Sequence, residues 1–175
     1  VENPYDPGSG DYDAPETTIL SGPNNITQTT DVVTYTFEGN DLVTEFSYRL
    51  DIGTIQGTWS DWSTETTVSF VNLDEGAHTF NVKGRYSDVD EDPTPATATF
   101  TIDAVTGPSI RFFPRSPSVS INSVFSVDVV AEEVEGVSGI EIELEYDDAY
   151  FTKYGDLIQG TIIADEIVIE EIYNE

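Results

Sequence analysis

Short runs in which apolar and polar side chains alternate dominate the first hundred residues of the chain. Each run is bounded by turn-forming residues, and no segment keeps apolar residues at helical spacing for two turns. The runs are 17–21, 32–38, 46–51, 59–63, 66–72, 78–87 and 97–103. In a β-strand, side chains alternate between the two faces, so the apolar residues of each run point to a common core. The pattern therefore predicts an all-β sandwich of seven strands.

The inward-facing positions of these runs form one predicted core. They are Val33, Tyr35, Phe37, Phe46, Tyr48, Leu50, Val68, Phe70, Phe80, Val82, Tyr86, Ala98, Phe100 and Ile102. Residues 73–76 supply a turn between the fifth and sixth runs, and the prolines of 92–95 interrupt the chain before the last strand. The single histidine, His78, stands at the start of a run and is predicted to be exposed.

Charge and composition exclude several classes of function. Acidic residues number 34 against 6 basic ones, and a net charge of -28 repels nucleic acid and anionic lipid surfaces. The apolar runs are too broken by polar residues for a membrane-inserted span. A surface this acidic suits a salty or calcium-rich exterior, so we expect a secreted or cell-surface protein.

Catalytic chemistry has little support in the sequence. One histidine excludes multi-histidine metal sites and leaves no base for a serine triad, and the absence of cysteine excludes thiol chemistry. Paired carboxylates, which glycosidases use, arise by chance in a chain with 34 acidic residues. The sequence therefore favours a protein that is not an enzyme.

The chain divides into three predicted segments. Residues 1–13 are rich in proline, glycine and acidic residues and are predicted to be a linker, with Tyr5 and Tyr12 in solvent. Residues 14–104 form the sandwich, and a second module occupies 105–175.

Five motifs in residues 14–104 carry a family resemblance. They are PETTILSGP (15–23), FSYRLD (46–51), WSDWS (59–63), NLDEGAHTF (72–80) and DPTPA (92–96). This part of the chain resembles the Ig-like repeats of large bacterial and archaeal surface proteins. The resemblance implies an immunoglobulin or fibronectin type III sandwich that serves as a spacer.

The second module resembles the beginning of a cohesin-like domain. VFSVDVVAE (124–132) and VSGIEIELEYD (137–147) match two strands of that family. Cohesins are jelly rolls longer than residues 105–175, so we expect the N-terminal half only, a partial jelly roll. The resemblance implies a dockerin-type protein partner and places the strand 140–146 on the contact face. Alternation there turns Glu141, Glu143 and Glu145 outward, either toward a basic partner or simply into solvent.

The two tryptophans suggest a structural stack rather than a sugar platform. Trp59 and Trp62 lie three residues apart, so on a regular strand their side chains would point to opposite faces. Arg49, Lys83 and Arg85 point to the outer face of neighbouring strands, and we expect them to stack on the tryptophans. The sequence therefore does not favour carbohydrate binding.

Two further surface features are candidates for ligands or modification. Asp88, Asp90, Glu91 and Asp92 place four carboxylates within five residues, which suits calcium, although the EF-hand spacing is missing and a solvated acidic loop is the alternative. Calcium is the only cofactor that the sequence suggests. Asn25 begins a sequon for N-glycosylation in a polar loop.

Three functions are compatible with these features. The first is an extracellular scaffold or adhesion protein whose second module binds a dockerin-like partner. The second is a subunit of a surface filament or layer, in which another copy adds a strand to the apolar run 160–170. The third, a carbohydrate-binding accessory module, depends on the tryptophans alone.

Overall fold

The computed structural model describes residues 6, 8–41, 43–87, 90–136, 142–155 and 158. Its contacts divide the chain into two compact units, Val1–Thr106 and Gly107–Glu175. The regular elements in the described residues are all β-strands, which confirms the predicted all-β class. These residues include no helix that is long and apolar enough to cross a membrane.

Eight strands form the first unit. They are β1 (Thr17–Ser21), β2 (Ile26–Gln28), β3 (Val33–Gly39), β4 (Glu45–Ile52), β5 (Thr67–Phe70), β6 (Gly76–Ser87), β7 (Asp90–Glu91) and β8 (Ala96–Ile102). One sheet has the antiparallel order β1-β3-β5. The other has the order β2-β8-β6-β4, and β7 pairs with the far end of β6. The chain crosses from one sheet to the other directly after β1, because β1 and β2 belong to different sheets. β2 then pairs with β8 in parallel.

The core between the two sheets is aromatic at its centre. The Tyr35 and Phe80 rings stack with centroids 4.0 Å apart, and Phe37, Tyr48 and Phe70 lie around Phe80. The predicted inward positions of β3, β5, β6 and β8 are buried or pack against buried residues. The core therefore lies where the alternation of apolar and polar residues predicts it. Tyr86 is the exception, since its hydroxyl leaves the core and donates to the Asp13 carbonyl.

The fourth predicted strand is wrong in detail. Residues 59–63 run beside the edge of β4 but make only one main-chain bridge there, between Phe46 and Ser63. The Ser60 hydroxyl accepts a hydrogen bond from the Tyr48 amide at 3.1 Å, so a side chain replaces part of the ladder. The short strands β2 and β7, with three and two residues, were not predicted because they are too short to show a period.

The prediction that His78 is exposed is also wrong. His78 is 2% exposed, its Nε2 lies 2.7 Å from the Asp74 carbonyl oxygen, and its ring stacks on Phe100. The residue has the same parity as Phe80 and Val82, which point inward from β6. The position of His78 along the strand therefore decides its burial, although the imidazole is polar. The hydrogen bond to Asp74 satisfies one of its two nitrogens.

The second unit contains a two-stranded antiparallel sheet. It pairs β9 (Ser109–Phe113) with β10 (Asp128–Glu132) in the register Phe112 to Val129 and Ile110 to Ala131. Of the run 124–132, only the last five residues form a strand, and 142–147 form none. The alternation that turns Glu143 and Glu145 outward predicts an inward position for Ile142 and Leu144, but both are exposed. Residues 137–141 and the run 160–170 lie outside the described part of the chain.

Burial of Tyr35 predicts a loss of stability at alkaline pH. Its hydroxyl donates to the Pro23 carbonyl at 2.7 Å, and burial raises its pKa well above the ordinary 10.0. Below pH 10.0 the phenol is protonated in both the folded and the unfolded chain. Above it, ionisation favours the unfolded chain, so stability should fall as the pH rises.

Thermal melts of the natural protein and Tyr35→Phe between about pH 9 and 12 test this expectation. The variant should begin about 1 kcal/mol less stable, because it lacks the bond to Pro23. The difference in Tm between the two proteins should then shrink as the pH rises. Parallel curves would show that Tyr35 does not couple folding to pH.

Candidate functional site

A ladder of alternating cations and indole rings covers the outer face of the larger sheet. Arg49 Cζ lies 4.9 Å from the Trp59 ring centroid, and Arg85 Cζ lies 4.3 Å from that of Trp62. Lys83 Nζ lies over both rings, at 5.0 and 5.2 Å. We call these five residues the cation–π ladder. Each indole therefore has two cations within reach of its π-system.

The backbone of 59–63 places both tryptophans on this one face. Ser60 is bound to β4 through its amide and its hydroxyl, and the buried Ser47 hydroxyl donates to the Ser60 carbonyl at 2.8 Å. Because the segment is anchored at single points rather than as a regular strand, its side chains do not alternate strictly between faces. On a regular strand the two indoles would point to opposite faces, but this segment is not a regular strand, and both rings lie next to Lys83.

Carboxylates neutralise the cations of the ladder from the same face. Arg85 Nη2 lies 2.8 Å from Glu45 Oε2, Arg49 Nε lies 2.9 Å from Asp51 Oδ1, and Lys83 pairs with Glu91. Asp51 also accepts from the Gly57 amide and the Asn81 side chain. Asp51 was not among the predicted site residues, although its spacing two residues after Arg49 could have indicated a pair on one strand face.

The acidic segment is divided between two faces. Glu91 points outward to Lys83, whereas Asp90 and Asp92 are buried on the opposite side. Asp88 lies outside the described residues. In the part of the chain that the structure describes, no group of three or more acidic, histidine or cysteine residues is arranged to hold a metal.

Tyr12 is not a solvated linker residue. Its hydroxyl donates to Asp90 Oδ1 at 2.7 Å, across 78 positions of the sequence. This hydrogen bond is the main cause that raises the pKa of Tyr12 to about 12, because ionisation would break it. Tyr5 lies outside the described residues.

The other predicted site residues are not members of the ladder. Asn25 is exposed with a positive φ of 54°, and its Oδ1 accepts from the Thr99 hydroxyl at 2.9 Å, as part of the link between β2 and β8. Glu143 and Glu145 are exposed in the second unit, and Glu141 is not among the described residues.

Comparison with known proteins does not assign a family. No protein-family model matches the chain, and no curated protein matches it. Among solved structures, it is similar to the extracellular domain of a protein from B. thetaiotaomicron assigned to the one-component systems. That likeness has 17% identity and a TM-score of 0.37, and it covers 46% of this chain but 12% of the other.

Proposed function

We propose that the chain is a non-catalytic part of a surface or secreted protein, with a rigid Ig-like spacer followed by a cohesin-like protein-binding module. The observation that carries the proposal is the contrast between the two units. The first encloses an aromatic core, whereas none of the described residues of the second is buried. A spacer needs only its own core, and a binding module needs an apolar surface that a partner covers.

The second unit presents such a surface on its small sheet. Ile110 and Phe112 are 55% and 52% exposed, and Val129 and Ala131 lie opposite them on β10. We call these four residues the β9–β10 apolar face. Burial of large apolar side chains supplies much of the affinity at protein interfaces, and the net charge of -28 favours a basic partner.

The ladder supports a structural role for the tryptophans and counts against sugar binding. A sugar ring would need a free indole face, and Lys83 already lies over both rings. The ladder residues also pair with Glu45, Asp51 and Glu91, so a ligand would have to break ion pairs. Carbohydrate binding therefore ranks last among the three functions.

Association of the full chain tests the proposal. Light scattering should give the mass of a monomer, and titration with a basic dockerin domain should give a one-to-one complex. Phe112→Glu should weaken that complex about tenfold or more, because it places a charge in the apolar contact. Leu20→Glu is the matched control, since Leu20 is equally exposed but lies in the first unit.

A second copy of the chain is the alternative partner. In that case the full chain alone would form dimers or filaments, and Phe112→Glu would return it to the monomer. If the chain is monomeric and neither a dockerin nor another copy binds it, the proposed binding function is wrong.

A further inference from the structure

Two buried carboxylates in the first unit have oxygen atoms without a hydrogen-bond partner. Asp90 is 9% exposed and Asp92 is 3% exposed. Oδ1 of Asp90 accepts from Tyr12, and Oδ1 of Asp92 accepts from the Thr94 amide at 2.8 Å. The Oδ2 atoms of both residues are shielded from solvent and have no partner.

Alternation along an extended chain places the two aspartates on the same side of it. They flank Glu91, which faces outward to Lys83, and residues two apart on an extended chain share a face. The Asp92 amide donates to the Gly84 carbonyl, so the chain continues beside β6 past the end of β7. Gly84 is buried on that inner side, where its amide donates to the Thr17 hydroxyl at 2.7 Å.

An uncompensated buried carboxylate is costly. Removing it from water loses hydration that a hydrogen bond, a cation or a proton must replace. Lys83 and Arg85, the cations of the adjoining strand, lie over the indole rings on the outer face of the sheet. The inner side thus has two carboxylates with incomplete coordination in a chain of net charge -28.

We propose that Asp90 and Asp92 bind a calcium ion through their Oδ2 atoms. Calcium takes oxygen ligands and accepts carboxylates together with main-chain oxygens and water. Glu91 belongs to the ladder side and is not a ligand. Tyr12, which donates to Asp90, is only partly buried, so the ion would enter past a surface side chain.

Thermal melts of the full chain in millimolar CaCl2 and in excess chelator test this site. Calcium should raise the Tm of the natural protein by about 5 °C or more. Asp92→Asn and Asp90→Asn should each lose most of that rise. In chelator, these variants should melt no lower than the natural protein, because a charge without a partner has been removed. Glu91→Gln is the matched control and should keep the calcium response.

Calorimetric titration provides a second measurement that does not depend on the melt. It should give one calcium per chain for the natural protein and for Glu91→Gln, and no binding heat for Asp92→Asn. Circular dichroism checks that each variant is folded. An unchanged Tm with calcium, or an equal response in Asp92→Asn, would overturn the site.

Discussion

Replacing Phe80 by alanine should lower the free energy of unfolding of the first unit by about 3–5 kcal/mol. Phe80 is fully buried, and its ring lies within 4.0–6.5 Å, centroid to centroid, of four other aromatic rings. Alanine would leave a cavity between the two sheets at the position of the Phe80 ring. Since small domains are stable by about 5–15 kcal/mol, this loss would remove a large fraction of the stability of the unit.

Urea denaturation followed by tryptophan fluorescence measures this loss. Val71→Ala is the control, because Val71 is 60% exposed next to β5 and should change stability by about 0.5 kcal/mol or less. A loss below about 1.5 kcal/mol for Phe80→Ala would mean that the aromatic centre does not hold the sheets together.

Trp62→Ala should cost about 2–4 kcal/mol of the same stability. The substitution removes the ring that Lys83 and Arg85 contact, and it exposes the outer face of β6. Arg85 would keep its pair with Glu45, but that partly exposed pair contributes little by itself. Most of the loss should therefore come from packing and from the cation–π contacts.

Two further variants separate these causes. Trp62→Phe keeps an aromatic face and should recover about half of the lost stability. Lys83→Met keeps the aliphatic stem of Lys83 but removes the charge over both rings, and should cost about 1 kcal/mol. If Trp62→Ala melts like the natural protein but loses affinity for a sugar, the tryptophans bind carbohydrate and the structural interpretation of the ladder is wrong.

Much of the first unit could be predicted because its strands obey a simple period. Val33, Tyr35 and Phe37 alternate with polar residues, and so do Ala98, Phe100 and Ile102, which located the core without a template. His78 was predicted to be exposed because it stands at the start of a run, although it has the same parity as the inward-facing Phe80. The segment 59–63 shows another limit, because Ser60 replaces a ladder bond with its side chain, and periodicity does not reveal such a bond.

Contacts between distant parts of the sequence were harder to predict. Tyr12 meets Asp90 only because the chain before β1 returns to the end of β7. The division of Asp90, Glu91 and Asp92 between two faces depends on the pairing of β7 with β6. Because β7 has only two residues, its sequence shows no period that predicts this pairing. In the second unit, alternation predicted a strand at 140–146, but the described residues 142–146 form none, since apolar alternation without a pairing strand does not form a sheet.

Amide hydrogen exchange of the full chain tests the central claim most directly, that the first unit is stable alone and the second requires a partner. Without a partner, the amides of β3, β6 and β8 should be strongly protected, and those of 107–136 should exchange close to the rate of an unfolded peptide. The two-stranded sheet has no buried side chain among its described residues to slow its opening. Protection of β9 and β10 equal to that of β6 in the isolated chain would contradict the account.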